Sequence, residues 1–291
     1  MESTEIHQAA RMPSLRDPVL LAAFAGWNDA GQAATHALQT LNDAWSARRF
    51  AEIEPENFFD FSQTRPTISL GANGKRDLIW PANLFFAHRM PKQERDVVLL
   101  IGNEPQVRWK TFCGLILTIA RRVNVSCLVT LGGLLADVPH TVDPVLTGLA
   151  STPRLLPQLH KMGVSTSDYE GPTGIIGALH DAWTSTGLPA ISLWANVPHY
   201  ISASPNPQVA LALLRRVALL LGAPLPLTAL ELKSKEFAVQ VREALAENPE
   251  ALEYVRQLEE QLVESTIPEE GGTELIEALE EFLRTTRPAD E

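Results

Sequence analysis

Cysteine is nearly absent from this 291-residue chain, which holds only Cys113 and Cys127. Neither belongs to a CxxC pair or a Cys/His ligand spacing, so neither a disulfide framework nor a zinc module is encoded. Cys113 sits on a helical pattern with Phe112, Ile116 and Ile119, and Cys127 sits in the apolar run VSCLVTL; both read as small buried hydrophobes. Long apolar runs are missing too. The most apolar segment, ALALLRRVALLLG, is broken by Arg215 and Arg216 and falls short of a membrane span. The opening MESTEIHQAARMPSL lacks a basic end followed by an apolar block, so no secretory signal is read and a cytoplasmic location is expected. Positive charge is not in excess. The net charge is −11, and the segment from Ala223 to Glu291 carries 17 acidic and 6 basic residues, leaving 18 of each in the first 222. With no basic surplus and no Lys/Arg run, binding to nucleic acid or to an anionic membrane is disfavoured.

What is present is an ordinary soluble composition, 45% hydrophobic and 20% charged, on a chain long enough for one large domain with an appendage. No internal repeat or low-complexity tract interrupts it. The first 222 residues alternate short aliphatic runs, polar loops and helix-period segments. PVLLAAFA precedes an Ala-rich helix with Ala34, Ala37, Leu38 and Leu41 on one side. DVVLLIG leads through NEP to a helix bearing Trp109, Phe112 and Ile116, and VSCLVTL leads into GGLLADVPHT. YEGPTG opens a helix through Ile176, Leu179 and Trp183, and PAISLWA runs through NVPHY towards PQVALALLRRVALLL. Continuous apolar strands separated by helices predict a mainly parallel mixed sheet covered on both faces, a three-layer α/β/α fold. Between Arg49 and Arg89, the segments FFDF, TISL and LIWP predict shorter, antiparallel additions.

The pattern changes at Gly222, predicting a body over 1–222 and an acidic helical extension over 223–291. Thr228 and Glu231 match a capping box, Asn248 and Pro249 start a second helix, and Gly271 and Gly272 precede a third carrying Leu275, Leu279 and Phe282. Three short amphipathic helices cannot stand alone and are expected to pack on the body or on another subunit.

Ligands of parallel α/β sheets bind beyond the carboxyl ends of the strands. The loops there would gather Trp27, Asn28, Asp29, Asn103, Glu104, Asp137, His140, Thr141, Glu170, Thr173, His199 and Tyr200 on one crest. Each has a structural reading as well. Asn28 or Asp29 suits a helix cap, and Glu104 before Pro105 suits a helix N-terminus through the dipole. Trp27 would pack over neighbouring loops. Together the carboxylates and the two histidines also suit a shared pocket, with groups able to act as acid or base. Specific chemistries are harder to find. His140 and His199 lack any short metal-ligand spacing, so no metal is expected, and no cofactor signature is seen. There is no GxSxG elbow, and GANGKRD has its glycines too close together for a phosphate loop, with a strand rather than a helix after it.

The blocks AFAGWNDAG, IGNEPQVRWKTFC, LGGLLADVPHT, YEGPTGIIGALHDAW and WANVPHY followed by NPQVALALLRR resemble, in this order from Pro18 to Leu221, the PAC2 family of proteasome assembly chaperones, in particular its actinobacterial branch. The resemblance implies a core similar to phosphorylase/hydrolase-like folds, self-association into a homo-oligomer and, for the eukaryotic and archaeal relatives, a role in assembling proteasome α rings. Those relatives dock through a C-terminal hydrophobic, tyrosine, any-residue motif, whereas this chain ends RTTRPADE. In LADVPHTVDP, Val142 stands where the branch would carry a basic residue. Two functions are therefore expected. One is a non-catalytic, self-assembling chaperone or interaction scaffold with a protein partner, proteasome-related or not. The other is a small-molecule binder, or a hydrolase or phosphorylase-like enzyme, working at the crest. Enzymatic activity stays open.

Overall fold

Four strands whose residues are buried on both sides organise the computed structural model, which describes residues 5–71 and 74–266. In chain order the elements are β1 (Ile6–Gln8), β2 (Val19–Ala25), α1 (Ala33–Trp45), β3 (Arg48–Ile53), β4 (Thr67–Leu70), β5 (Arg76–Ile79), β6 (Asn83–His88), β7 (Val97–Asn103) and α2 (Trp109–Arg122). They continue with β8 (Cys127–Ala136), β9 (Leu146–Ala150), α3 (Leu156–Lys161), β10 (Val164–Thr166), α4 (Ile175–Thr184), β11 (Ala190–Pro198), α5 (Pro207–Leu221), α6 (Thr228–Ala246) and α7 (Pro249–Thr266).

The main sheet has the order β1-β3-β6-β7-β2-β8-β11-β9-β10, with β7, β2, β8 and β11 mutually parallel at its centre. Antiparallel pairing begins where β6 meets β7 and where β9 meets β11. Successive side chains of a strand alternate between faces, so each central strand feeds two cores. Val19, Leu21 and Ala23 of β2 pack with α1, α3, α5 and the start of α6, and Leu20, Ala22 and Phe24 pack with α2 and α4. This is the three-layer arrangement that the continuous apolar runs predicted. The additions in the Arg49–Arg89 region are antiparallel, as expected from their turn-separated pattern.

FFDF is not a strand. Phe58 and Phe59 lie in a turn closed by their N–H groups on the Pro55 carbonyl, at 2.9 and 3.1 Å. Phe58 is buried edge-on against Phe112, 5.4 Å between centroids. Apolar density marks burial, and here a turn rather than a strand delivers the rings to the core. The Thr228 capping box does not form either. The helix opens one residue earlier than that motif requires, so Leu227 occupies the cap position and no side chain caps it. Asn248 does cap α7, accepting from the N–H groups of Glu250 and Ala251. The helix expected around Leu275, Leu279 and Phe282 lies outside the described residues.

No helix among the described residues is long and apolar enough to cross a membrane. Both cysteines are buried, which pushes the thiols up to about 12 for Cys113 and about 11 for Cys127.

Candidate functional site

The loop after β2 turns at Gly26, whose φ of 130° is a conformation that favours glycine. It then places Trp27, Asn28 and Asp29 in three different environments. Asp29 is buried and caps α1, accepting from the N–H groups of Ala34 at 2.7 Å and Thr35 at 3.3 Å and from the Thr35 hydroxyl. Burial pushes its carboxyl up, against the pull of these donors. Asn28 is fully buried, and its Nδ2 donates to Glu104 Oε1 at 2.7 Å. Trp27 is 60% exposed. The local chain turns so tightly at Gly26 that the ring is carried outward.

Glu104, immediately after β7, is the knot of this loop cluster. Its Oε1 also accepts from Ile175 N–H at 2.7 Å, and its Oε2 from Trp27 N–H at 3.3 Å. The carboxylate therefore caps α4, not the helix that follows it in sequence. Arg108, in a left-handed conformation with φ of 59°, starts α2 four residues later. Negative charge at the N-terminus of α4 is favourable through the helix dipole. Gly174 completes the packing, because a Cβ there would lie 2.3 Å from both amide atoms of Asn28 and 2.6 Å from Glu104 Oε1. One carboxylate thus ties the ends of β2 and β7 to α4, and both its oxygens are engaged. Asn103 closes β7 beside it, its Nδ2 3.4 Å from the Ala82 carbonyl.

Trp27 and Thr173 instead line a cleft of about 480 Å³ between α4 and the strands β9 and β11. That volume lies in the range of small-ligand and side-chain pockets. Trp27, Tyr169, Trp194, Leu134 and Leu149 make its apolar wall, and Asp181 stands at its rim. Within the cleft, Ser192 Oγ lies 3.0 Å from His180 Nδ1 and accepts from the hydroxyl of Thr130 behind it at 2.7 Å. Burial lowers the pKa of His180, against the pull of Asp181, so the ring is neutral near pH 7. Ser192, His180 and Trp194 are absent from the sequence-derived set. The signal was Ser192 inside the apolar run PAISLWA, a hydroxyl in a strand with no water to serve it. Glu170 is exposed in the loop that leads to α4.

The remaining candidates form a second group, and among the described residues no hydrogen bond joins it to the first. The Tyr200 hydroxyl accepts from His140 N–H and lies 2.8 Å from His140 Nδ1. Burial raises the Tyr200 pKa and lowers that of His140. His199 Nδ1 pairs with Asp137 at 3.0 Å. These groups receive α7. Tyr254 sets its ring edge-on to His199 and Tyr200, with centroids 5.7 and 6.0 Å away, and Thr141 donates to Glu259. The His140, His199 and Tyr200 loops therefore hold α7, the second helix after Gly222, against the body of the same chain. Tyr254→Ala is expected to cost about 1–2 kcal/mol and to raise hydrogen exchange in α7 while the sheet keeps its protection. Uniform protection in both would show that the rings do not anchor the helix.

The comparisons agree with this architecture. A PAC2 family model matches residues 23–245. No curated protein matches the chain significantly. Among solved structures, a PAC2 family protein from Streptomyces avermitilis is 42% identical, with a TM-score of 0.74, covering 82% of this chain and 100% of its own. A Mycobacterium tuberculosis proteasome-assembly chaperone homologue is 41% identical, with a TM-score of 0.73, covering 81% of this chain and 99% of its own. A proteasome activator from Pyrococcus furiosus shares the fold, with a TM-score of 0.67 at 20% identity over 84% of this chain and 99% of its own. With the family model spanning most of the sheet and relatives above 40% identity over four-fifths of its length, this chain belongs to the PAC2 family.

Proposed function

We propose that the protein is a self-associating, non-catalytic chaperone or interaction scaffold that works in the assembly of proteasome-type particles in the cytoplasm. The observation that carries this reading is the 41% identity, over nearly the whole of that relative, to a proteasome-assembly chaperone homologue. Two features support it. The crest carboxylates Asp29 and Glu104 are engaged in holding helices, and large apolar side chains stand exposed on the surface, among them Trp27, Leu135 and Tyr169. The chain's body over 1–222, with as many acidic as basic residues, would meet protein rather than nucleic acid or membrane, and the extension over 223–291 would add a charged surface. The test is sedimentation velocity at micromolar concentration, together with affinity capture from the native host probed for proteasome α and β subunits. Discrete oligomers and enrichment of those subunits are expected. A monomer that enriches neither would end this reading.

The cleft favours a second reading, a small-molecule-binding protein or a hydrolase-type enzyme using Ser192 and His180. A thermal-shift screen tests it, because a ligand bound by the folded state alone raises apparent stability. A shift lost in Trp194→Ala and in Ser192→Ala, with the fold intact, is the expected signature. A shift that both variants keep would move the ligand elsewhere.

A further inference from the structure

The cleft between α4 and the strands β9 and β11 is framed by separate parts of the fold. The antiparallel register of β11 with β9 sets Ser192 beside Leu149 and Trp194 beside Thr147, all four on the sheet face turned to α4. Behind them on β8, Gly132 admits the Trp194 ring, since a Cβ there would lie 2.4 Å from its Cε3 and 2.5 Å from its Cζ3. The facing wall is one side of α4, where Ile176, His180 and Thr184 recur at four-residue spacing with Asp181 next to them. Trp27 and Tyr169 complete the rim from two loops, with Tyr169 66% exposed. Among the described residues α4 is the one helix that lines the cleft. The α3 helix packs β9 and β10 from the opposite face of the sheet through Leu146, Leu159 and Val164.

The charge of this lining has one sign. The chain holds 24 lysines and arginines, yet none of the described residues that line the cleft is either. Its acidic group is Asp181, and Asp168 and Glu170, exposed on both sides of Tyr169, add negative charge beside the rim. His180 supplies no cation near neutral pH, because burial lowers its pKa. An anionic ligand would meet like charge and find no partner there, which disfavours phosphates and carboxylates. A cation meets the opposite conditions. Trp27, Tyr169 and Trp194 offer aromatic surface to a positive charge and to a flat apolar body alike, and Asp181 offers a carboxylate acceptor for an ammonium N–H. A bare metal ion does not suit the site, since the described residues hold no group of three or more metal-ligating side chains. The volume of about 480 Å³ is that of a small-molecule pocket.

We propose that the cleft binds a small organic cation, an ammonium group carried on a flat apolar body, with the body against Trp27, Tyr169 and Trp194 and the charge directed to Asp181. This rests on the small-molecule reading of the cleft given above and names the class of its ligand.

The test is isothermal titration calorimetry of the full chain at low ionic strength, with three probes of similar shape and different charge: phenethylammonium, phenethyl alcohol and hydrocinnamate. The ammonium probe is expected to bind about tenfold or more tightly than the alcohol, and the carboxylate most weakly of the three. Asp181→Asn should bring the ammonium probe down to the affinity of the alcohol and leave the alcohol unmoved. Added salt should act in the same sense. Trp27→Leu, at an exposed position, should weaken the ammonium probe severalfold, and Trp27→Phe should restore most of the loss, with circular dichroism confirming the fold of each variant. Equal affinities for the ammonium and alcohol probes, or tighter binding of the carboxylate, overturn the cation assignment; the small-molecule reading survives them when the binding is lost in Trp194→Ala. Ammonium binding that neither Asp181→Asn nor Trp27→Leu alters also overturns it, because the cation then sits elsewhere. Absence of binding by all three probes at millimolar concentration ends this inference. If the thermal-shift screen then returns no ligand sensitive to Trp194→Ala, the small-molecule reading falls with it.

Discussion

Replacing Glu104 by alanine is expected to destabilise the protein by about 3–5 kcal/mol, because charge-assisted hydrogen bonds contribute roughly 1.5–3 kcal/mol each and the partners left behind are buried. Three donors lose their acceptor: Asn28 Nδ2, Ile175 N–H and Trp27 N–H. The Asn28 amide is fully buried, with no room to turn towards solvent, and Ile175 opens a helix whose dipole the carboxylate offsets. Trp27 lies at the surface and water can serve its N–H, which keeps the figure below a sum of three full contributions. For a domain of this size the loss corresponds to a fall in Tm of roughly 6–20 °C. Glu104→Gln keeps one acceptor oxygen for Asn28 and Ile175 and should retain about half of the stability. Equilibrium urea unfolding of the two variants checks both figures. A change below about 0.5 kcal/mol in the alanine variant, the range of ordinary surface substitutions, would show that the clamp is not a structural knot. The cleft would report the same event, since α4 forms one of its walls.

A second large effect is expected at Asp96, far from the crest. Its side chain is fully buried, and it accepts from Arg16 N–H at 2.8 Å, Arg16 Nη2 at 2.8 Å and Met90 N–H at 3.0 Å. Burial pushes this carboxyl up, but the Arg16 side chain, the two backbone donors and the guanidinium charge outweigh it, and the group is held below the usual carboxylate range. Asp96→Ala leaves Met90 N–H buried without its acceptor and frees the segment before β2, at an expected cost of about 3–5 kcal/mol. The pH dependence has a definite sign. A carboxyl with a lower pKa in the folded state contributes stability that is present above its unfolded value of about 4 and is lost as pH falls through the folded value. Unfolding free energies should therefore drop for the wild type on acidification below about pH 4, and Asp96→Asn should show a shallower acid limb over that interval. Parallel limbs in the two proteins would place the acid sensitivity on other carboxylates.

The carboxylates Asp29 and Glu104 show what could be read along the chain and what could not. The Asp29 cap is local, five and six residues from the N–H groups it serves, and capping was one of its two sequence readings. Glu104 was also read as a helix-terminal carboxylate, but of the wrong helix. Its partners lie 76 residues before it at Asn28 and 71 after it at Ile175. Loop residues such as Asp137, His140, Thr141, His199 and Tyr200 were legible as neighbours because they follow two adjacent parallel strands, β8 and β11. That α7 would be their partner was not. Ser192, His180 and Trp194 escaped notice because an apolar strand and an amphipathic helix each look complete when read alone.

The strand-helix alternation, the two-faced core and the antiparallel additions between α1 and β7 were determined by the sequence itself. Burial on both faces demands continuous apolar runs, and covering helices demand the 3.6-residue period, so both constraints act within single elements. The cleft, the Glu104 clamp and the seat of α7 were decided only by the tertiary structure. Each depends on which strands become neighbours and on where a turn such as Gly26 aims a side chain. The strand order β7-β2-β8-β11 brings together residues that no local periodicity relates.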